Sequence, residues 1–443
     1  MKIIQITAGT GSFYCGTCLR DNTLVAGLKG LGHEVLMVPL YLPIVTDEPA
    51  QSNGTQTFYG GVNVYLQQIS PLFRKTPRWF DRIFDSTRIL RWSAKKAGST
   101  QPMQLGPLTL SILKGEEGNQ SKELDRLIDW LAEYSQPDVV CLSNLLLIGL
   151  ARRVKTALGV PIVCTLQGED SFFDALPEPY KQECWQTASE RASEVDAFIA
   201  VSHYYADVMR ERLHVPDDKL QVVHNGINLE GYQPAANPPD SPIIGYLARQ
   251  CATKGLDTLI DAFILLKKDS SHSTVRLRVA GTMTDADEPF VREMKKRLAA
   301  NDLLEAVDFL PNLDRDEKIE FLQSLSLFSV PATYGESFGL YVIEALAAGV
   351  PVVQPNHAAF PELLESTGGG ILYDGEDAAS LAAALSSALV DLDRLSELGT
   401  RGRAAVIGQF GVEKMASGVA SLLQECVSGK LTQEPDKSNQ NVI

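Results

Sequence analysis

No stretch of this 443-residue chain holds the roughly 18 consecutive apolar residues that a membrane helix needs, so no transmembrane anchor is expected. The N-terminus also lacks the charged segment, long apolar run and cleavage site of a secretory leader. MKIIQITAG reads instead as a first β-strand running into glycines. Net positive charge is missing as well: 40 Lys and Arg face 55 Asp and Glu, a formal charge of −15. That balance argues against nucleic acid as a partner, because phosphate-binding surfaces need clustered cations. Cysteines are few and scattered, seven in all (Cys15, Cys18, Cys141, Cys164, Cys184, Cys251 and Cys426). Without a leader they do not suggest a disulfide framework. The expectation is a cytoplasmic protein, peripheral at most to the inner face of a membrane.

What is present is an α/β rhythm. The chain is too long for one ordinary core and, at 44% hydrophobic residues, can bury sizeable ones. Short Val/Ile-rich runs alternate with helical patterns: Lys2–Thr7, Glu34–Pro39, Asp138–Leu142, Pro161–Thr165, Ala197–Val201 and Gln221–His224 read as strands of a doubly wound parallel sheet. Between two of them Ser121 can cap a helix that carries Leu124, Leu127, Ile128 and Leu131 on one face. The run from Gln233 to Pro242, with three prolines in its interior and a fourth at its end, suits neither helix nor central strand and reads as a linker. The rhythm then restarts with Ile243–Leu247, Val275–Ala280, Val307–Leu310, Leu327–Val330, Val350–Gln354 and Ile371–Tyr373. The expected organisation is a domain over 1–232, a linker over 233–242, a second domain over 243–405, a C-terminal helix over 406–428 and a disordered polar tail over 429–443.

The segment Tyr334-Gly-Glu-Ser-Phe-Gly-Leu-Tyr-Val-Ile-Glu344 follows a strand and opens a helix that stops at Gly349, before Pro351. Such a turn at the carboxyl edge of a parallel sheet is where open α/β folds bind ligands. Backbone N–H groups around Phe338, Gly339 and Leu340 would attract a phosphate or hydroxyl oxygen. Glu336 and Glu344 would sit on the order of 10 Å apart, given a helical rise of about 1.5 Å per residue. That spacing suits two hydroxyl-bearing groups of one nucleotide-sugar. Any two glutamates eight apart would by themselves read as a solvated loop residue and a polar helix position.

The surrounding residues change that reading. Glu-Ser-Phe-Gly, followed by Glu344-Ala-Leu-Ala-Ala-Gly-Val-Pro-Val-Val, closely resembles the hallmark of the family 4 (group 1) glycosyltransferases, and the resemblance runs over roughly residues 1–425. It implies the GT-B fold, two Rossmann-like domains facing across a cleft, with the C-terminal helix crossing back to the first. It also implies a retaining transfer from a nucleotide-diphosphate-sugar to an acceptor: a glycan, a lipid-linked molecule or a small molecule. Arg249 and Lys254, in Gly245-Tyr-Leu-Ala-Arg249-Gln-Cys-Ala-Thr-Lys254-Gly255, match the cations that hold the donor diphosphate in the family. Charge logic agrees, since a departing diphosphate needs compensating cations or a metal. The resemblance gives Glu336 the donor sugar and its developing positive charge, and Glu344 the ribose. His224-Asn225-Gly226-Ile227 also resembles the family and reads as a turn. A non-catalytic sugar-nucleotide or glycan-binding protein on the same fold is the alternative.

In the first domain, Ala8-Gly-Thr-Gly-Ser-Phe-Tyr-Cys-Gly16 follows the first strand, and Gly32-His33-Glu34-Val35 lies at the family's distance from it. Cys15-Gly16 stands where the family commonly has Gly-Gly, so Gly16 would let the backbone approach the donor. The glycines do not match a nicotinamide-binding fingerprint. Cys15-Gly-Thr-Cys18 has the C-x-x-C spacing of redox and zinc sites, with no second pair at metal-site spacing. Family members often carry His in a Thr-x-His context, and this chain reads Thr165-Leu-Gln167-Gly-Glu169-Asp170. Gln167 can hydrogen-bond a sugar but cannot shuttle a proton, which leaves Glu169 or Asp170 as candidates for acid-base work, or else a helix cap and a first-turn acid.

Three D-x-D matches (Asp285/Asp287, Asp314/Asp316 and Asp391/Asp393) fall in unrelated contexts, and no metal or other cofactor is expected. Residues 70–97 form the largest composition shift. Arg74, Lys75, Arg78, Arg82, Arg88, Arg91, Lys95 and Lys96 are interleaved there with Phe73, Trp79, Phe80, Phe84 and Trp92. Such a segment suits an anionic membrane surface or an anionic acceptor, or else an insertion whose aromatics pack on its own domain.

Overall fold

The computed structural model describes residues 1–9, 16–52, 102–236 and 239–429, with single positions at 58, 64, 67, 68 and 73. The basic aromatic segment 70–97, apart from Phe73, and the tail from 430 onward lie outside the described residues, as does Cys15. The chain divides into two compact units, Met1–His224 together with the segment from Met415, and Asn225–Lys414.

The first unit is built on a six-stranded sheet: β1 (Lys2–Thr7), β2 (Glu34–Pro39), β3 (Val139–Leu142), β4 (Ile162–Leu166), β5 (Ala197–Ala200) and β6 (Leu220–Val222). Every pairing is parallel and the order is β2-β1-β3-β4-β5-β6. The strands are apolar on both faces because helices cover both, as β5 (AFIA, buried throughout) illustrates. The helix Ser121–Tyr134 buries Leu124, Leu127, Ile128 and Leu131 as its periodicity predicts. Ser121 is its first residue, however, and Gln120 holds the cap position.

The second unit carries β7 (Ile243–Leu247), β8 (Arg276–Gly281), β9 (Val307–Pro311), β10 (Leu327–Phe328), β11 (Val352–Pro355) and β12 (Gly370–Tyr373). All are parallel, in the order β12-β11-β10-β7-β8-β9. Counted from β7, this is the doubly wound order in which the direction of winding reverses between the first and fourth strands. That switch point lies between β7 and β10.

The boundaries differ from the sequence reading at both ends of the second unit. Residues 225–236, expected to close the first domain and begin the linker, belong to the second unit. The Ile227 N–H donates to the Phe410 carbonyl at 2.9 Å, the Val412 N–H donates to the Ile227 carbonyl at 3.0 Å, and the Tyr232 ring is buried. Chain composition marked the prolines but not these distant partners. At the C-terminus one helix (Leu392–Gln409) stays in the second unit, and a break at Phe410-Gly411 precedes the next helix (Val412–Val427). From Met415 that helix joins the first unit, where Met415, Ala416, Val419, Leu422 and Leu423 pack with Ile3, Leu24, Val25, Val139 and Ile199.

Candidate active site

Two loops leave the sheet at the switch point of the second unit. One follows β7 and carries Arg249 and Lys254; the other follows β10 and carries Tyr334 and Glu336. They are clasped together. The Thr333 N–H donates to the Thr253 carbonyl at 3.1 Å, and Gly255 packs directly on the Pro331 carbonyl. Gly255 has φ +70°, and a Cβ there would lie 1.8 Å from the Pro331 oxygen, so only glycine fits both the turn and the approach.

This clasp brings Lys254 to Glu336. The Lys254 ammonium donates to Glu336 Oε2 at 2.6 Å and also to the Tyr334 hydroxyl. The hydroxyls of Tyr334 and Tyr341 donate to the same oxygen at 2.9 and 2.8 Å. The ammonium lies 4.7 and 5.4 Å from the centroids of those two rings. Glu336 is 8% exposed. Burial alone would raise its pKa, but the Lys254 charge and the hydrogen bonds from Lys254, Tyr341 and Tyr334 outweigh burial and hold it below the ordinary value. Glu336 is therefore a buried, ionised carboxylate at neutral pH. Burial, reinforced by the Glu336 charge, pushes both tyrosines well up, so each keeps the proton it donates.

Arg249 is half-exposed and aimed by a partner the sequence did not reveal. Its Nε donates to Asp287 Oδ1 at 3.0 Å and its NH2 lies 2.9 Å from the same oxygen. Asp287 is nearly buried and is held in turn by the Thr284 N–H and hydroxyl, at 2.9 and 2.7 Å. One of the D-x-D matches thus contains the residue that orients the guanidinium.

Beyond Glu336 the chain turns through Gly339, at φ +90°, into the helix Leu340–Ala347. Phe338 is buried, its ring 6.0 Å from that of Phe410, and the N–H groups of Gly339 and Leu340 are bonded to no acceptor among the described residues. Glu344 lies in this helix with Oε1 accepting from Lys318 at 2.7 Å and from Tyr232 at 3.1 Å. Tyr232 and Lys318 are far away in sequence, and nothing local announced them.

In the first unit the candidates separate. Gln167 follows β4, and its amide Nε2 donates to the Ser143 carbonyl at 2.6 Å and lies 3.4 Å from Asp21 Oδ1. Asp21 is itself fully buried, accepting from Thr7 at 2.8 Å and paired with Arg20 at 3.2 Å. Burial pushes its carboxyl up against the pull of Arg20 and Thr7. Glu169 is held from within the first unit, and burial raises its pKa against the hydrogen bonds it receives. Its Oε1 accepts from the Leu145 N–H at 3.0 Å; its Oε2 accepts from the N–H groups of Gln167 and Gly168 at 2.7 and 3.0 Å and from the Tyr205 hydroxyl at 3.0 Å. Three protein donors commit Oε2, and one bonds Oε1. Asp170 differs: its Oδ1 is buried without a hydrogen-bond partner, and burial raises its pKa. Gly16 begins the helix Gly16–Gly30 and is exposed, while Cys18 is buried in the apolar core of this unit.

A sequence model described as "Glycosyl transferases group 1" matches residues 232–405, and one described as "Glycosyltransferase Family 4" matches residues 113–230. The chain belongs to the group 1 glycosyltransferases. Similar curated proteins include the D-inositol 3-phosphate glycosyltransferase of Nocardia farcinica, 27% identical over 241 residues, which cover 52% of this chain and 53% of that protein. The lipopolysaccharide core biosynthesis mannosyltransferase LpsB of Rhizobium meliloti is 29% identical over 52% of this chain and 66% of its own length. The chain spans about half the length of the first of these relatives. Among solved structures, sucrose-phosphate synthase from Thermosynechococcus elongatus superposes with TM-score 0.73 at 18% identity, covering 97% of this chain and 100% of that one. HepE of Anabaena, solved with UDP and glucose, superposes with TM-score 0.67 at 16% identity, covering 96% and 99%. The fold of this group 1 member is GT-B, with one Rossmann-like sheet in each unit. No helix among the described residues is long and apolar enough to cross a membrane.

Proposed function

We propose that this chain transfers a sugar from a nucleoside-diphosphate donor to an acceptor that is a glycan, a lipid-linked molecule or a small molecule, with retention at the anomeric carbon. The observation that carries the reading is the Lys254–Glu336 pair, a cation and an ionised carboxylate 2.6 Å apart at the switch point, with Arg249 on the Lys254 loop. A diphosphate leaves with the electron pair of the broken bond between anomeric carbon and oxygen. Arg249 and Lys254 supply the positive charge that this needs. Glu336 accepts from a sugar hydroxyl and faces the positive charge that develops on the ring. Glu344 takes ribose hydroxyls on Oε2, with Oε1 held by Lys318 and Tyr232. The Gly339 and Leu340 N–H groups add donors at a helix N-terminus. No metal is required in this reading, because the two cations compensate the leaving group.

On the acceptor side Gln167 contributes hydrogen bonding only, and of the two acids beside it Asp170 is the one with a carboxylate oxygen not used by the protein. The HepE structures with UDP and UDP-glucose support the choice of donor class. The test is a panel of UDP-, GDP- and ADP-sugars, read by calorimetric binding and by release of nucleotide, with and without EDTA. Turnover of one donor, indifferent to EDTA and abolished in Glu336→Ala, is the expected result. Binding of none of them would overturn the reading, and turnover surviving in Glu336→Ala would remove Glu336 from it.

A further inference from the structure

The two oxygens of Glu336 are treated unequally. Oε2 receives three donors, from Lys254, Tyr341 and Tyr334, whereas Oε1 receives none from the described residues. Lys254 shows the complementary asymmetry. Of its three N–H bonds, one goes to Glu336 and one to Tyr334, and the third meets no acceptor among the described residues. The Tyr334 hydroxyl accepts from Lys254 and donates to Glu336, so its single proton has one place to go.

This arrangement is not what a carboxylate and an ammonium adopt by themselves. The terminal torsion of a glutamate is broad and nearly two-fold, and an unconstrained pair can turn both oxygens onto the cation. Here two hydroxyls converge on one oxygen and fix the rotation. Their rings cannot follow a wandering carboxylate, because Tyr341 is held 6.2 Å from the Phe328 ring and 6.5 Å from the Phe360 ring, and both tyrosines lie against the ammonium. Tyr334 and Tyr341 stand two residues before and five after Glu336, on the loop and on the following helix, so their convergence is a product of the turn at Gly339.

We propose that Tyr334 and Tyr341 are positioning residues of the donor-sugar subsite: they commit Oε2 of Glu336 and one N–H of Lys254 to the protein, leaving one carboxylate oxygen for the sugar and one ammonium proton for its diphosphate. The proposal rests on the donor reading given above and narrows it. A carboxylate that offers the sugar one ionised oxygen selects a neutral sugar with a hydroxyl to donate. A uronic acid presenting its carboxylate there meets like charge.

The experiment compares Tyr334→Phe, Tyr341→Phe and the double variant with the unaltered chain, using UDP-glucose, UDP-glucuronic acid and UDP as probes. Phenylalanine keeps the ring and removes only the hydroxyl. The expected result is a fall of about tenfold in kcat/KM for UDP-glucose per hydroxyl removed, the size of one hydrogen bond to a charged group. UDP affinity should change less than twofold, and the acid limb of kcat/KM should move to higher pH. The charged or titratable groups facing Glu336 are Lys254, Tyr334 and Tyr341, with Tyr246 and Cys251 bearing on Tyr334, so losing a hydroxyl leaves burial less opposed. UDP-glucuronic acid should bind no better than UDP. Unaltered kinetics with an unmoved acid limb would overturn the proposal, and so would a parallel loss of UDP affinity and melting temperature, the mark of a merely structural role. If no sugar nucleotide is bound at all, the donor reading fails independently. The tyrosines are then tested by a carbon-13 titration of the Glu336 carboxyl, where an upward move in Tyr341→Phe supports the positioning role and an unmoved titration refutes it.

Discussion

Replacing Lys254 by Met keeps the length of the side chain and removes the charge opposite a buried carboxylate. At 2.6 Å and an effective dielectric near 20 the direct attraction is about 6 kcal/mol, most of it offset by the cost of taking both ions out of water. What the substitution exposes is the other half of that balance, a Glu336 side chain only 10% exposed with its cation gone. Breaking one side of a buried pair costs about 3–5 kcal/mol, and since Tyr334 and Tyr341 still donate, the lower end, about 3 kcal/mol, is expected. In a unit of this size that corresponds to a fall in melting temperature of about 6–12 °C.

The pH dependence is the sharper readout. In the unaltered chain Glu336 titrates below its ordinary 4.5, so the folded state holds fewer protons than the unfolded one, and its stabilisation is present above 4.5 and lost as pH falls through the folded pKa. In Lys254→Met burial is no longer outweighed. The folded pKa rises above 4.5, and stability then falls as pH increases through it. The gap between the two proteins should be small at pH 4 and widest near pH 7, and Lys254→Met/Glu336→Gln should recover most of it. Melting curves of the unaltered chain, Lys254→Met and Lys254→Met/Glu336→Gln between pH 4 and 7 make the test. A gap that is constant across that range, or one that the second substitution does not narrow, would refute the reasoning.

Three other outcomes are expected. Gly255→Ala places a methyl 1.8 Å from the Pro331 oxygen at φ +70°, so it should part the two loops and lower melting temperature and donor turnover together; a crystal structure with the loops unmoved would contradict this. Asp287→Ala releases the Arg249 guanidinium and should lower kcat/KM for the donor about tenfold with Lys254 and Glu336 intact, as steady-state kinetics would show. Neutralising the cations of 70–97 should abolish co-sedimentation with anionic liposomes at low salt, and binding unchanged by those substitutions would remove the membrane from consideration.

Much of the fold was open to inspection because its causes are local and repeated. A parallel strand covered on both faces must be apolar throughout, and the helices between strands must show an apolar stripe, so both sheets could be read from β1 to β12 with ends displaced by a residue or two. Arg249, Lys254, Glu336 and Glu344 were recognisable because each lies in a continuous motif. Their partners were not. Asp287 reaches Arg249 across 38 residues, Lys318 reaches Glu344 across 26 and Tyr232 across 112, and Gln167 meets Asp21 across 146. Glu169 and Asp170 are adjacent and chemically alike, and only the surrounding backbone with the Tyr205 hydroxyl gives one four donors and leaves an oxygen of the other unused.

By itself, then, the order of residues determined two Rossmann-like sheets, the loop and helix around Glu336, and the cations that accompany them, because hydrophobic period, glycine placement and short motifs act over a few residues. Tertiary structure decided which carboxylates are ionised, which are consumed by the protein and which cation each one faces. Those properties depend on burial and on donors that approach from distant elements, and a pairing of that kind leaves no periodic trace along the chain.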